Sequence, residues 1–271
     1  MEWPKLKNII LLLLLVTNLF LLGLVGVQEW NSARYHAEAR TDALEVLAKN
    51  GIQMGYEVLP RDQTLPLAQF SRDRSRDAAT LTALLGDLTE QNMGGGQYLY
   101  EGEKGYAYLR GRGEFSVTLA SGAYPLTGSA AEHAGDMLRL LGLDTVVKSV
   151  TGDAHSARVT LIQLWQGLPV LNCEMEVSYE GGELVSLSGT RLYNEPESLG
   201  SVELSAVTGL LRFLEQFSDT GDICSAITRM EAGYRLTTGL ADPATLRPIW
   251  YFETDTGSYL LDAVSAELTR L

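Results

Sequence analysis

LIQLWQGLPVLNCEMEVSYEGGELVSLSG, residues 161–189, reads as strands joined by a tight turn. Val170, Asn172, Glu174 and Glu176 are set against Leu171, Cys173, Met175 and Val177, so polar and apolar side chains alternate once the first member, Val170, is passed. A period of two marks a strand with one face in a core and the other in water. "EGGE", residues 180–183, then supplies two adjacent glycines, which adopt the positive φ of a two-residue hairpin turn at little cost. "LVSLSGTRLY" therefore returns antiparallel to "VLNCEMEVSY", and "ARVTLIQLW" before them is a further strand.

Working outward, the same plan of a helix followed by meandering strands is expected three times. Ser71 caps a first helix running to Thr89, followed by short strands in "GGGQYLYEGEKGYAYLRGRGEFSVTLA". A second helix, 127–143, places Ala130, Ala134, Met137, Leu138 and Leu141 at helical spacing with Gly142 near its end, and leads into the strands of the opening stretch. A third, 203–217, leads into "AITRMEAGYRL", "RPIWYFETD" and "SYLLDAVSAEL". Helix over meander is an α+β layer, and the irregular spacing argues against a solenoid. Before these units, residues 30–50 form a helix with Ala37, Ala43, Leu44, Val46 and Leu47 on its apolar face, ended by Gly51, and "YEVLP" reads as a short strand stopped by Pro60. The expected units are 28–125, 126–198 and 199–271.

Residues 9–27 contain no ionisable side chain, and 19 helical positions nearly cross a hydrocarbon core of about 30 Å. The run is long for a removable leader and carries no small-x-small cleavage site, so it is expected to stay as a transmembrane helix after a cytoplasmic tail of residues 1–8. Lys5 and Lys7 precede it and Glu29 follows, which leaves the amino terminus in the cytoplasm and everything after Val27 outside. Trp3 and Trp30 flank it at the depth of the membrane interface. Asn18 interrupts the run, and an amide in hydrocarbon seeks a partner; an interhelical hydrogen bond from it contributes on the order of 1 kcal/mol. Leu14, Leu15, Leu21, Leu22 and Gly26 share its side of the helix, and together they make the expected helix-contact face.

The chain carries 21 basic and 34 acidic residues, for a net charge of −13. That balance repels nucleic acid and anionic lipid, so neither is an expected partner of the part beyond the helix. Cys173 and Cys224 are its two cysteines, too few for a disulfide framework; Cys173 reads as a small buried side chain in an alternating strand, and a single Cys173–Cys224 bridge stays open as the alternative. Catalytic and cofactor signatures are missing. His36, His133 and His155 are far apart and fall in no metal-binding spacing, His133 reading as a surface residue beside Glu132. There is no nucleophile elbow, Walker loop or dinucleotide fingerprint, and the glycines of "GGGQY" and "GRGEF" read as turn glycines. Glu174 and Glu176 share a strand face, which reads as an acidic solvated surface, and Trp165 and Trp250 read as packing residues. No catalytic residue, cofactor or metal ligand is expected.

Two features carry a family resemblance. "MEWPKLKNIILLLLLVTNLFLL" resembles the start of the YycI proteins, and "LEVLAKNGI" followed by "LP" resembles the juxtamembrane helix and first strand of YycI and YycH proteins. The stretch 161–189, with its Gln-x-x-x-Gly-x-Pro-Val turn and Gly-x-Leu-x-Ser-x-x-Gly return, resembles a PepSY-type or protease-propeptide-like sheet. "LRPIWYFETDTGSYLLDAVSAEL" is similar to a terminal PepSY-like hairpin, with Ser265 and Ala266 where Thr-Gly is usual. "RDRSRD" and "MGGGQ" match nothing in that family. The resemblance implies a non-catalytic single-pass membrane protein that modulates a WalK-type sensor histidine kinase controlling cell-wall metabolism, with a YycH-like co-regulator. The sheet resemblance alone implies a different function, a membrane-tethered inhibitor or chaperone of an extracellular peptidase.

Overall fold

The computed structural model describes residues 3–70, 74–111, 113–153, 155–192, 196–238 and 243–271; in the amino-terminal helix it describes the side chains at 14, 15, 17–22 and from 34 onward. The fold is a sheet-dominated α+β structure. Helix α1 (Trp3–Lys49) leads through a 3₁₀ turn at Tyr56–Val58 into β1 (Gln63–Phe70). Helix α2 (Asp77–Leu85) precedes β2 (Thr89–Gly94), β3 (Gln97–Gly102), β4 (Gly105–Arg110) and β5 (Glu114–Leu119). Helix α3 (Ala130–Leu140) precedes β6 (Thr145–Gly152), β7 (Ser156–Trp165), β8 (Leu168–Glu180) and β9 (Glu183–Thr190). After β10 (Glu197–Leu204), helix α4 (Ala206–Thr220) precedes β11 (Ile227–Thr237), β12 (Ala244–Thr254), β13 (Ser258–Asp262) and β14 (Leu268–Arg270).

A helix followed by a four-stranded antiparallel meander thus occurs three times, but over two cores rather than three. The meanders after α2 and α3 join edge to edge through β5 and β9, giving the order β2-β3-β4-β5-β9-β8-β7-β6. Both helices cover one face of this sheet, and Leu81, Leu84, Leu85, Ala134 and Leu138 bury against Val117, Val159, Leu161, Val177 and Leu187. We call this the distal lobe. The third unit builds the proximal lobe by recruiting other pieces: β1 pairs with both β10 and β12, and the end of α1 adds Ala43 and Leu47 to a core centred on Phe213, Trp250 and Phe252.

Helix α4 shows why the sequence folds this way. Ala206, Leu210, Phe213 and Phe217 recur along one face and are buried, while Ser205 accepts from the Thr208 amide as N-cap. Gly221 ends the helix at φ +74°. Gly209 lets the helix meet the sheet closely, since a Cβ there would lie 2.5 Å from the Trp250 indole. Phe213 stacks on Phe252 with ring centroids 4.3 Å apart.

Several local expectations are corrected. "YEVLP" is a 3₁₀ turn, closed by Val58 N–H donating to Gly55 O, and the strand is the next segment, β1. The first helix is short, 77–85, capped by Gly86, and its expected last residue, Thr89, opens β2; Ser71, its expected cap, lies outside the described residues. His133 is buried rather than at the surface, with Nδ1 2.9 Å from the Tyr179 hydroxyl. Its burial pushes its pKa below the usual imidazole value. Ala266 takes φ +58°, a left-handed position of the kind the usual glycine would fill without strain.

Candidate functional site

The stretch 161–189 does more than build one sheet. Its first turn, Gln166-Gly167, has φ of +50° and +79°, so β7 and β8 are joined by a two-residue hairpin with both central residues left-handed. The tip of that distal hairpin enters the proximal core: Trp165 packs edge-on against Phe70 at 6.5 Å and Tyr234 at 4.9 Å, and Val170 and Cys173 are buried there. The failure of alternation at Val170 follows from this. Ile162 pairs with Glu174 but Leu164 pairs with Pro169, so β8 bulges away from β7 across residues 170–173. In the bulge it turns to β11, touching it through one parallel bridge from Val170 to Tyr234.

Asn172 completes the joint. Its side-chain amide donates to Leu236 O at 2.7 Å and accepts from Leu236 N at 2.8 Å, standing in for a backbone ladder rung. Gly233 admits the approach, because a Cβ there would lie 2.9 Å from Pro169 O. The Tyr234 hydroxyl is buried with no hydrogen-bond partner. Among the described residues, a bridge, a side-chain rung and an inserted hairpin thus connect the two halves of the sheet, beside Leu192, which is buried in the proximal core and donates its amide to Gln163 Oε1 at 2.7 Å.

Beside the joint lies a groove of about 580 Å³ with walls from both lobes. Val146, Ile162, Leu164 and Leu171 line it from the distal side, and Tyr251 and Ser258 from the proximal side. Charges on its rim pair within each wall, Lys148 with Glu174 and Arg229 with Glu231. Strand β6, at the free edge of the distal sheet, is exposed along almost its whole length. Such a cleft offers apolar contact to an extended chain, with paired ions at its border.

The expected site residues are placed as follows. Leu14, Leu15, Asn18, Leu21 and Leu22 are exposed on α1, away from either core, and Gly26 lies outside the residues whose surroundings are described. Helix α1 runs unbroken through residues 9–27, but no helix among the described residues is long and apolar enough to cross a membrane. Glu174 and Glu176 do share a face, where Glu176 pairs with Arg158 at 3.2 Å and Glu174 with Lys148; these are cross-strand ion pairs. Trp250 is buried under α4 and Trp165 plugs the joint. Cys173 and Cys224 are free buried thiols, pushed up by burial to about 12 and about 11. No cluster of potential metal ligands occurs among the described residues. Sequence reasoning missed the joint and the groove. The one signal for them was the break in alternation at Val170.

No family model matches the chain, and no curated protein matches it. Among solved structures it is similar to an uncharacterised protein from Eubacterium rectale ATCC 33656, at 12% identity and TM-score 0.48, covering 78% of this chain and 86% of that one. It is also similar to the Bacillus megaterium YpeB C-terminal domain, at 12% identity and TM-score 0.33, covering 75% of this chain and 98% of that one. Likenesses at these scores carry nothing about function.

Proposed function

We propose that this protein is a non-catalytic membrane-anchored regulator. Residues 9–27 sit in the membrane, and the face made by Leu14, Leu15, Asn18, Leu21, Leu22 and Gly26 packs against a helix of a sensor histidine kinase. The two lobes lie outside the cell, where they dock a partner such as a YycH-like co-regulator. The observation that carries this reading is the continuity of α1: one helix of 47 residues joins the apolar run to a buried end in the proximal core. A rigid helix of about 70 Å fixed at one end transmits tilt or rotation from the lobes to its far end. Regulation follows if the kinase's two states make different contacts with the helix face. The choice of a kinase as partner rests on the resemblance of the opening sequence to the YycI proteins.

The test is affinity capture from native-like membranes of the intact protein beside Asn18→Leu, with retained proteins identified by mass spectrometry. The expected result is a sensor kinase retained by the first and depleted at least several-fold from the second. Retention of an extracellular peptidase by both, with no kinase, overturns the proposal in favour of a tethered inhibitor.

A further inference from the structure

A cavity of about 360 Å³ lies beside the first two turns of α4 in the proximal lobe. Thr208, Gly209 and Arg212 line it from the helix, Glu203 from the end of β10, Asp262 from the end of β13, and Trp250 from β12 beneath. It equals roughly twelve water volumes, room for a molecule the size of an amino acid. Trp250 is 1% exposed, and the Cδ1–Nε1 edge of its indole is the part that meets Gly209, where the helix has no side chain to cover it. Among the described residues no acceptor meets the indole N–H, and the nitrogen is not sealed from solvent, so it opens on the cavity. An indole N–H held in this way is a ready donor to a ligand oxygen.

The polar groups around it divide into satisfied and free. Asp262 is satisfied: Arg247 pairs with it at 3.1 Å, and the amides of Val264 and Ser265 each donate to it at 2.8 Å. The helix end is satisfied too, since Asp62 accepts from the Ala206 amide and Ser205 from that of Thr208. Arg212, Glu203 and the Thr208 hydroxyl are free: none of them has an ion-pair or hydrogen-bond partner among the described residues. Arg212 and Glu203 thus face one cavity without reaching each other.

Ligand charge follows from what is free. A lone anion would be drawn to Arg212 and opposed by Glu203, and a lone cation the reverse; a molecule with one charge of each sign satisfies both walls. The donors gather on the Arg212 side, where a guanidinium fork binds two oxygens of one acid group and the Trp250 N–H and Thr208 hydroxyl add to it. We propose that this cavity binds a small zwitterion of the amino-acid type, its carboxylate held by Arg212, Thr208 and Trp250 and its ammonium facing Glu203. The site is independent of the helix-contact reading.

The experiment labels the indole nitrogens of the four tryptophans in the intact chain, held in detergent, and titrates it with L-alanine while the Trp250 resonance, identified by its contact with the Gly209 α-protons, is followed by NMR. A saturable shift of that resonance is expected. Arg212→Gln is expected to weaken binding about tenfold, the loss that one charge-assisted contact represents. Arg212 and Glu203 are both exposed, so their glutamine variants keep the fold. N-acetylalanine, which lacks the ammonium, and alaninamide, which lacks the carboxylate, are each expected to bind at least several-fold more weakly, and Glu203→Gln is expected to erase the disadvantage of N-acetylalanine. Arg34→Gln, which alters an exposed pair on α1, leaves L-alanine binding unchanged. A Trp250 resonance that does not move, or equal binding by wild type and Arg212→Gln, overturns the site. Either analogue binding as tightly as L-alanine overturns the assignment to a zwitterion.

Discussion

The two ends of α1 belong to one continuous helix, yet the same kinds of side chain meet opposite surroundings along it. Ala43 and Leu47, near its carboxyl end, are buried in the proximal core. Leu14, Leu15, Leu19, Phe20, Leu21 and Leu22 are all at least half exposed. The docked end is also held by polar contacts. Arg40 donates to Pro60 O at 2.7 Å and to Leu59 O, and beyond Lys49 the Ile52 amide donates to Leu47 O while that of Gly51 donates to Ala48 O. That pair of bonds, with Gly51 at φ +82° and Ile52 and Leu47 both buried, terminates the helix firmly. A large run of bare leucines is costly in water and favourable in lipid or against another apolar helix. The contrast teaches that one helix has a docked end in a core and an exposed apolar end away from it, and it is this exposed end that the proposed function places in a membrane.

The largest expected way to break the contrast is Leu47→Ala. It removes a fully buried side chain and is expected to lower stability of the proximal lobe by about 2–5 kcal/mol in denaturant unfolding, whereas Leu21→Ala, the same kind of truncation in the exposed half, leaves that transition in place. Next comes Arg40→Ala, which strips charge-assisted donors from the Leu59 and Pro60 carbonyls. A loss of about 1–3 kcal/mol in the same assay is expected, with faster amide exchange at Leu59. The smallest is Gly51→Ala, which places a Cβ in the left-handed region where nothing else crowds it. About 1 kcal/mol is expected, read as a lowered thermal midpoint.

The lobes differ in how much of them the sequence reveals. The distal meanders are local: "EGGE" turns through Gly181 and Gly182 at φ +61° and +79°, as the two glycines imply, and Ala134, Leu138 and Leu141 are buried as their spacing predicts. Ser129 and Ser205 cap their helices two residues inside the expected starts. What escapes a sequence reading is non-local pairing. Strand β1 meets β10 more than a hundred residues away, β10 is exposed along most of its length, and β6 is an edge strand, so none carries a clean alternation. The fusion of two units through β5 and β9 leaves no local trace either. Of the candidate sites, the expected helix-contact face depends on one helix alone, so a sequence is enough to state it as an expectation, and the structure shows only that its described side chains are exposed. The groove and the cavity beside α4 are not legible, because each is assembled from segments that only the fold brings together.

The central claim is that the exposed half of α1 lies in a membrane with both lobes outside. The most direct measurement is to treat intact cells with protease, wash their membranes in alkaline carbonate, and follow tags at each end of the chain. The account predicts that the amino-terminal tag is protected and stays with the membrane while the carboxy-terminal tag is digested. Release of the intact chain into the carbonate wash, or digestion of the amino-terminal tag with the carboxy-terminal one protected, contradicts it.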